Sequence, residues 1–172
     1  NNIYRLYAAF PAEIEKSGKE SLRSYTKTVI EEEWPLLKQD TFSPDAFKKL
    51  LVIEESLIKY KPQNTGESNA HQQMLTLITE YADLRRSRIY SAQFALAHPA
   101  WLGLIGSSFV FLFFACLFRM QSVQTHVILI VFLVFTVVGV VYFLVLYIHP
   151  FLGPMAIGPE PFQRLLDFAW TF

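Results

Sequence analysis

Along most of the chain apolar residues recur every three or four positions. Two stretches break that rhythm and carry no charged side chain at all: residues 100–118 and 127–148. At the helical rise they reach about 28 Å and about 33 Å, close to a hydrocarbon core of about 30 Å. A buried helix of a small soluble protein keeps one wet face, and neither run has one. The pattern predicts an all-α integral membrane protein: a transmembrane helical hairpin, joined by a short turn, attached to a polar helical region.

In the polar region, Ile3, Leu6, Tyr7 and Phe10 mark one helical face, which Pro11 interrupts. Ser17-Gly18 is a weak break. Leu22, Tyr25, Val29, Ile30 and Trp34 then form the stripe of an amphipathic helix over 19–34. Pro35 has no N–H for the carbonyl of Glu31, so this helix is expected to kink or end there. Glu31, Glu32 and Glu33 sit near its C-terminal end, where the macrodipole disfavours negative charge. A solvated face is the plainer reading of this run, and a cationic partner elsewhere the sharper one.

Ser43-Pro44-Asp45 has the composition of a helix start, and Phe47, Leu50, Leu51, Leu57 and Ile58 continue it as a stripe. Residues 61–68 (KPQNTGES) read as a turn-rich loop without an apolar anchor, a candidate for mobility. Over 69–97, Met74, Leu77, Ile78, Tyr81, Leu84, Arg88, Ala92 and Ala95 keep a near-heptad spacing on a long helix, and Ala97 follows them. His98-Pro99 marks entry into the first apolar run, with Trp101 and Tyr147 as interfacial aromatics.

Within the apolar runs, Gly103 and Ser107 lie four apart with Gly106 and Ser108 beside them, and Gly139 sits near the middle of the second run. Small residues let helices touch in lipid, so Gly103, Ser107 and Gly139 are the expected helix-packing positions. Arg119 closes the first run. The segment HPFLGPMAIGPEPF (149–162) holds four prolines and two glycines, which exclude regular helix, yet its apolar residues do not suit a free linker. A last short helix is expected over 163–170. The expected divisions are 1–98, helical region; 99–149, hairpin; and 150–172, a Pro/Gly-rich interfacial segment with a short helix.

Composition narrows the function classes. Net charge is zero, which gives no basic stripe for nucleic acid. The single cysteine, Cys116, lies inside the first run, so neither an internal disulfide nor a cysteine-based metal motif is available. The chain opens on Asn1-Asn2 without Met, and the protein is expected to extend upstream. Of His71, His98, His126 and His149, only His98 and His149 flank the runs at one end. A metal or tetrapyrrole would use such a pair. Bonding to water or backbone is the plainer reading, and no metal or cofactor is expected. Ser107 and Ser108 have no nearby base, and no phosphate loop, HExxH or nucleophile elbow occurs, so no enzymatic activity is expected.

Arg85, Arg86 and Arg88 precede the first run and Arg164 follows the second, whereas the turn carries only Arg119. The positive-inside rule places the helical region and the C-terminus in the cytoplasm, and a plasma (inner) membrane location is expected. The same Arg85, Arg86 and Arg88 are candidate contacts for anions or lipid headgroups.

Glu33-Trp34-Pro35, the LRRSR of 84–88, the two apolar runs and the tail of Pro150, Phe151, Gly153, Ile157, Pro159 and Phe162 together resemble the bestrophin-like domain family of bacterial membrane proteins. The tail is the most specific part. The resemblance implies one or two further membrane helices upstream of Tyr4 and a helical region facing the cytoplasm. Relatives often carry an acid before the Pro-Phe, where this chain has Tyr147, Ile148 and His149. Bestrophins are pentameric anion channels whose pore-lining second span has no counterpart here. The resemblance therefore implies a subunit of a homo-oligomeric ion channel, in contact with membrane lipid. Neither run has an ionisable residue at its middle, and the alternative is a non-enzymatic scaffold or accessory subunit of a larger membrane complex.

Overall fold

The computed structural model describes residues 2–94, 98–118 and 122–169. Ala95, Ala97, Arg119 and Trp170, and the side chain of His98, lie outside the described residues. In chain order the helices are α1 (Asn2–Leu6), α2 (Ala12–Thr28), α3 (Trp34–Leu37), α4 (Pro44–Lys59), α5 (Thr65–Gln93), α6 (His98–Cys116), α7 (Val123–Ile148) and α8 (Glu160–Ala169). A 3₁₀ turn, Tyr7–Ala9, follows α1, and a π-helical turn, Val29–Glu33, joins α2 to α3. No strand occurs among the described residues. The chain forms two compact units: Asn1–Gln93 with Ile157–Phe172, and Phe94–Ala156.

The first unit has a continuous core. α2 and α4 pack together, α5 lies along α4, and α1 rests on α5. Tyr7, Tyr25, Val29, Leu37, Ile53, Leu57 and Met74 are sealed from solvent. Gly18 does not break α2, which crosses it without interruption. The Tyr7 ring lies where a Cβ at this position would be, so glycine here gives up helix propensity for close approach. Burial raises the Tyr7 hydroxyl to about 12.

Pro35 does not end its helix either. The Trp34 N–H bonds to the carbonyl of Val29, five residues back, and helix continues to Leu37. The wide turn takes up the bond that Pro35 cannot make. The end comes at Asp40, in the left-handed region with φ 56°, where the Thr41 N–H closes back on the Leu36 carbonyl at 3.1 Å.

α4 starts as its sequence dictates, with the Ser43 hydroxyl accepting the Ala46 N–H at 3.1 Å. Its buried line is Ala46, Leu50, Ile53 and Leu57, so Phe47, Leu51 and Ile58 of the expected stripe lie on open surface. The KPQNTGES stretch is tied down, and α5 begins inside it. Asn64 accepts the Glu67 N–H at 2.8 Å, and Glu67 accepts the Gln63 N–H at 2.9 Å and the Tyr60 hydroxyl at 2.7 Å. Those bonds hold the Glu67 carboxyl below the usual range, Gln63 contributing most and Tyr60 next. The closure is complete above the ordinary carboxylate pKa and is lost as pH falls through the lowered value.

The second unit is the hairpin. α6 and α7 pack on each other, with Leu104, Ser108 and Ala115 on the sheltered line of α6 and Ile130, Leu133 and Val137 on that of α7. Gly103, Ser107 and Gly139 do not mediate this contact: a Cβ added at either glycine meets nothing within 4 Å, and Ser107 is exposed. The pairing uses the next line round, set by Ser108 and Ala115. Both helices are long and apolar enough to cross a membrane, yet only 6% of Pro99–Cys116 and 0% of the most apolar stretch of Val123–Ile148 is buried. A core helix of a soluble protein would be mostly buried. α7 starts at Val123, capped by Ser122, four residues before the expected start at 127. Beyond it the chain bends at Gly153 (φ 86°), a conformation that favours glycine. α8 starts at Glu160, before the expected 163, because Pro161 falls in the first turn, where its missing N–H costs nothing.

Replacing Gly18 by Ala forces the new methyl into the Tyr7 ring. The expected loss is about 1–3 kcal/mol of stability despite the better helix former. Urea unfolding checks it, and a gain in stability would contradict the packing described.

Candidate functional site

Leu22, Tyr25, Val29 and Glu33 lie on one line at helical spacing, and all four are buried. The π-turn ends at Glu33, so the register change fixes where this carboxylate points. It is 0% exposed. A carboxylate withdrawn from water is tolerable only with cations and full hydrogen bonding.

Both cations come from α5. Arg85 donates from Nε to Oε1 at 3.2 Å and to Oε2 at 3.0 Å, and its Nη2 also bonds Oε2. The same Nη2 reaches the Ser43 carbonyl at 3.4 Å, which brings in the start of α4. Arg88 donates from Nη2 to Oε1 at 2.8 Å. The planar guanidinium suits this shared geometry better than an ammonium would.

Aromatic faces close the cluster. The Arg88 guanidinium lies 5.0 Å from the Trp34 ring centre and 5.2 Å from that of Phe162, and Arg85 lies 5.7 Å from Phe47. Trp34 and Phe162 touch at 5.4 Å, and the Trp34 indole N–H donates to the Ile157 carbonyl at 3.1 Å. The tail is thus fastened to the helical unit by a tilted ring contact and one hydrogen bond. Beneath it, the Tyr25 and Tyr81 hydroxyls meet at 3.0 Å. Burial raises both phenols, and for Tyr25 the adjacent Tyr81 adds to the effect.

The structure sorts the residues expected at a site. Of the three glutamates only Glu33 is inside; Glu31 and Glu32 are exposed. The solvated-face reading therefore fails for Glu33, because this position continues the apolar line of α2. Arg85 and Arg88 hold an anion, but it is the Glu33 carboxylate of the same chain. Arg86 is exposed beside Asp83 at 3.4 Å. Sequence spacing put Leu84 on the buried line of α5, whereas Leu84 is 62% exposed and Arg85 takes the core position. The signal that could have found the pair is one charge of each sign on the inner lines of two amphipathic helices.

Glu33, Trp34, Ile157 and Phe162 converge here. Pro35 follows the turn, and Pro159 supplies the carbonyl that receives the Phe162 N–H at 2.9 Å. Pro150, Phe151 and Gly153 belong to the other unit. His149 pairs through Nδ1 with the Val145 carbonyl at 3.1 Å, and no group of three or more His, Cys, Asp or Glu fit for a metal occurs among the described residues.

Removing the carboxylate while leaving the buried Arg85 and the half-buried Arg88 unpaired is expected to be severe. Glu33→Ala should cost about 3–5 kcal/mol of unfolding free energy. Glu31→Ala, on the open face, should stay within about 0.5 kcal/mol. Denaturant unfolding of the two variants side by side checks the difference, and equal losses would contradict the assignment.

Compared with known proteins, the chain matches the family model described as Bestrophin-like domain over residues 1–162. No curated protein and no solved structure matches it. With nearly the whole chain inside the family model and two lipid-length helices whose surfaces the chain leaves open, this is a membrane protein of the Bestrophin-like domain family.

Proposed function

We propose that the protein is a subunit of a homo-oligomeric, bestrophin-like channel that conducts anions and has no enzymatic activity. The observation that carries the reading is the open surface of α6 and α7. Gly103, Gly106 and Gly139 have no neighbour within 4 Å of an added Cβ, although small residues are where membrane helices approach most closely. Further helices, from other copies or from upstream in a longer protein, fit against those positions. Lipid covers the remainder, with Arg86, exposed beside Asp83, as a candidate headgroup contact.

A second reading has its own support. Neither α6 nor α7 contains Asp, Glu, Lys or Arg, and intramembrane charge is the usual mark of an ion path. On this reading the hairpin anchors or scaffolds a larger membrane complex. Co-purification with a fixed set of other membrane proteins, without ion flux, would favour it.

The full-length protein, with any upstream helices, should migrate as an oligomer in mild detergent and release chloride from loaded liposomes. Monomers without flux would overturn the channel reading. We further propose that the helical unit and the C-terminus face the cytoplasm of a bacterial inner membrane. In a Cys116→Ser background, a cysteine at Ser122 should react with an impermeant maleimide from outside the cell, and one at Lys61 only after lysis. The reverse pattern would invert the topology.

A further inference from the structure

The helical unit has two unlike sides. The outer face of α2 is charged, with Glu13, Lys16, Glu20, Arg23 and Lys27 exposed. The outer face of α4 carries an apolar stripe beside a row of charges. Phe47, Leu51 and Ile58 run along it at spacings of four and seven, and Val52 lies one line round. Phe47, Val52 and Ile58 are 46%, 61% and 68% exposed. Together these four side chains show roughly 400 Å² of apolar surface, within the range at which monomers carry a contact site.

The charges beside this stripe fall into one row. Lys48, Val52, Glu55 and Lys59 follow one another at four, three and four residues, so all lie along one line of the helix. Glu55 bonds Lys59 at 3.1 Å with both side chains largely in solvent. Lys48 is exposed, and no acid among the described residues pairs with it.

The row is complementary to itself when reversed. With a second α4 laid antiparallel about a two-fold axis between Leu51 and Val52, Lys48 faces Glu55 of the second copy and Val52 faces its Leu51. Lys59 falls beside its Pro44 and Asp45. Every contact occurs twice, as a two-fold interface requires. Parallel alignment would instead set Lys48 against Lys48. Pro44, Lys48, Glu55 and Lys59 flank the apolar stripe and extend the contact area toward the ~800 Å² per partner of a stable interface.

We propose that α4 is a self-association surface through which two copies of this chain pack antiparallel around Leu51 and Val52. The inference rests on the homo-oligomer reading above and adds one two-fold contact to those that α6 and α7 leave open. The test uses the full-length protein in mild detergent, with Cys116→Ser as background. Val52→Cys, next to the axis, should form a disulfide-linked dimer on mild oxidation. Lys48→Glu sets acid against acid twice and should weaken self-association about tenfold, measured by dilution in the ultracentrifuge. Lys48→Glu with Glu55→Lys should restore it, which a different partner surface would not do. All three positions are exposed, so folding is preserved, and unchanged helical circular dichroism verifies that. An oligomer that ignores Lys48→Glu and gives no Val52→Cys dimer overturns the α4 contact and leaves the homo-oligomer reading standing. A wild-type protein monomeric at every concentration overturns both.

Discussion

Glu33 is a carboxylate with no water around it, and the first unit is arranged to make that tolerable. Desolvating an ion costs several kcal/mol even after the protein relaxes, so such a group persists only where cations and hydrogen bonds replace its hydration. Arg85 and Arg88 provide them from a helix more than fifty residues away. Such a cluster adds little to net stability compared with a well-packed apolar one. Its effect is on geometry, because a displaced α5 would strand two buried charges, Glu33 and Arg85, and the half-buried Arg88 at once. The π-turn belongs to the same arrangement: it carries the chain past Pro35 and ends where the carboxylate must point.

The tail is held by what the cluster leaves over. Two guanidiniums face one carboxylate, and the flat faces of Trp34 and Phe162 cover Arg88. Rings can do this because their negative faces attract a cation without donors or acceptors of their own. Ile157 and Phe162 thereby join residues 33–34 and 85–88, and segments distant in sequence share one set of contacts. The hairpin obeys another rule. Its helices satisfy their backbones internally and show apolar side chains nearly all round, as a bilayer requires.

The elements set by local chemistry were legible from sequence. Uninterrupted apolar runs predict α6 and α7, and Ser43-Pro44-Asp45 predicts the start of α4. What sequence left open or misjudged falls where a distant contact decides. Pro35 forbids an α-helical bond but permits a wider turn, and that turn ends at Glu33, the residue that Arg85 and Arg88 hold. Leu84 and Arg85 are neighbours on a helix, and hydrophobicity alone puts the leucine inside. The buried acid opposite reverses the choice. Gly103 and Gly139 signal close packing, but not against which helix, and they lie away from the contact between α6 and α7. KPQNTGES has loop composition, yet Asn64 and Glu67 form a reciprocal cap that starts α5 within it.

The claim that Glu33 and Arg85 act as one unit is tested most directly by a double-mutant cycle on unfolding free energy in the full-length protein. Glu33→Gln, Arg85→Gln and the double variant should show a coupling of about 1.5–3 kcal/mol, because once either partner is gone the other has little left to lose. Losses that simply add would mean that the two side chains do not depend on each other, and the fold would need another account of what holds α5 against the π-turn.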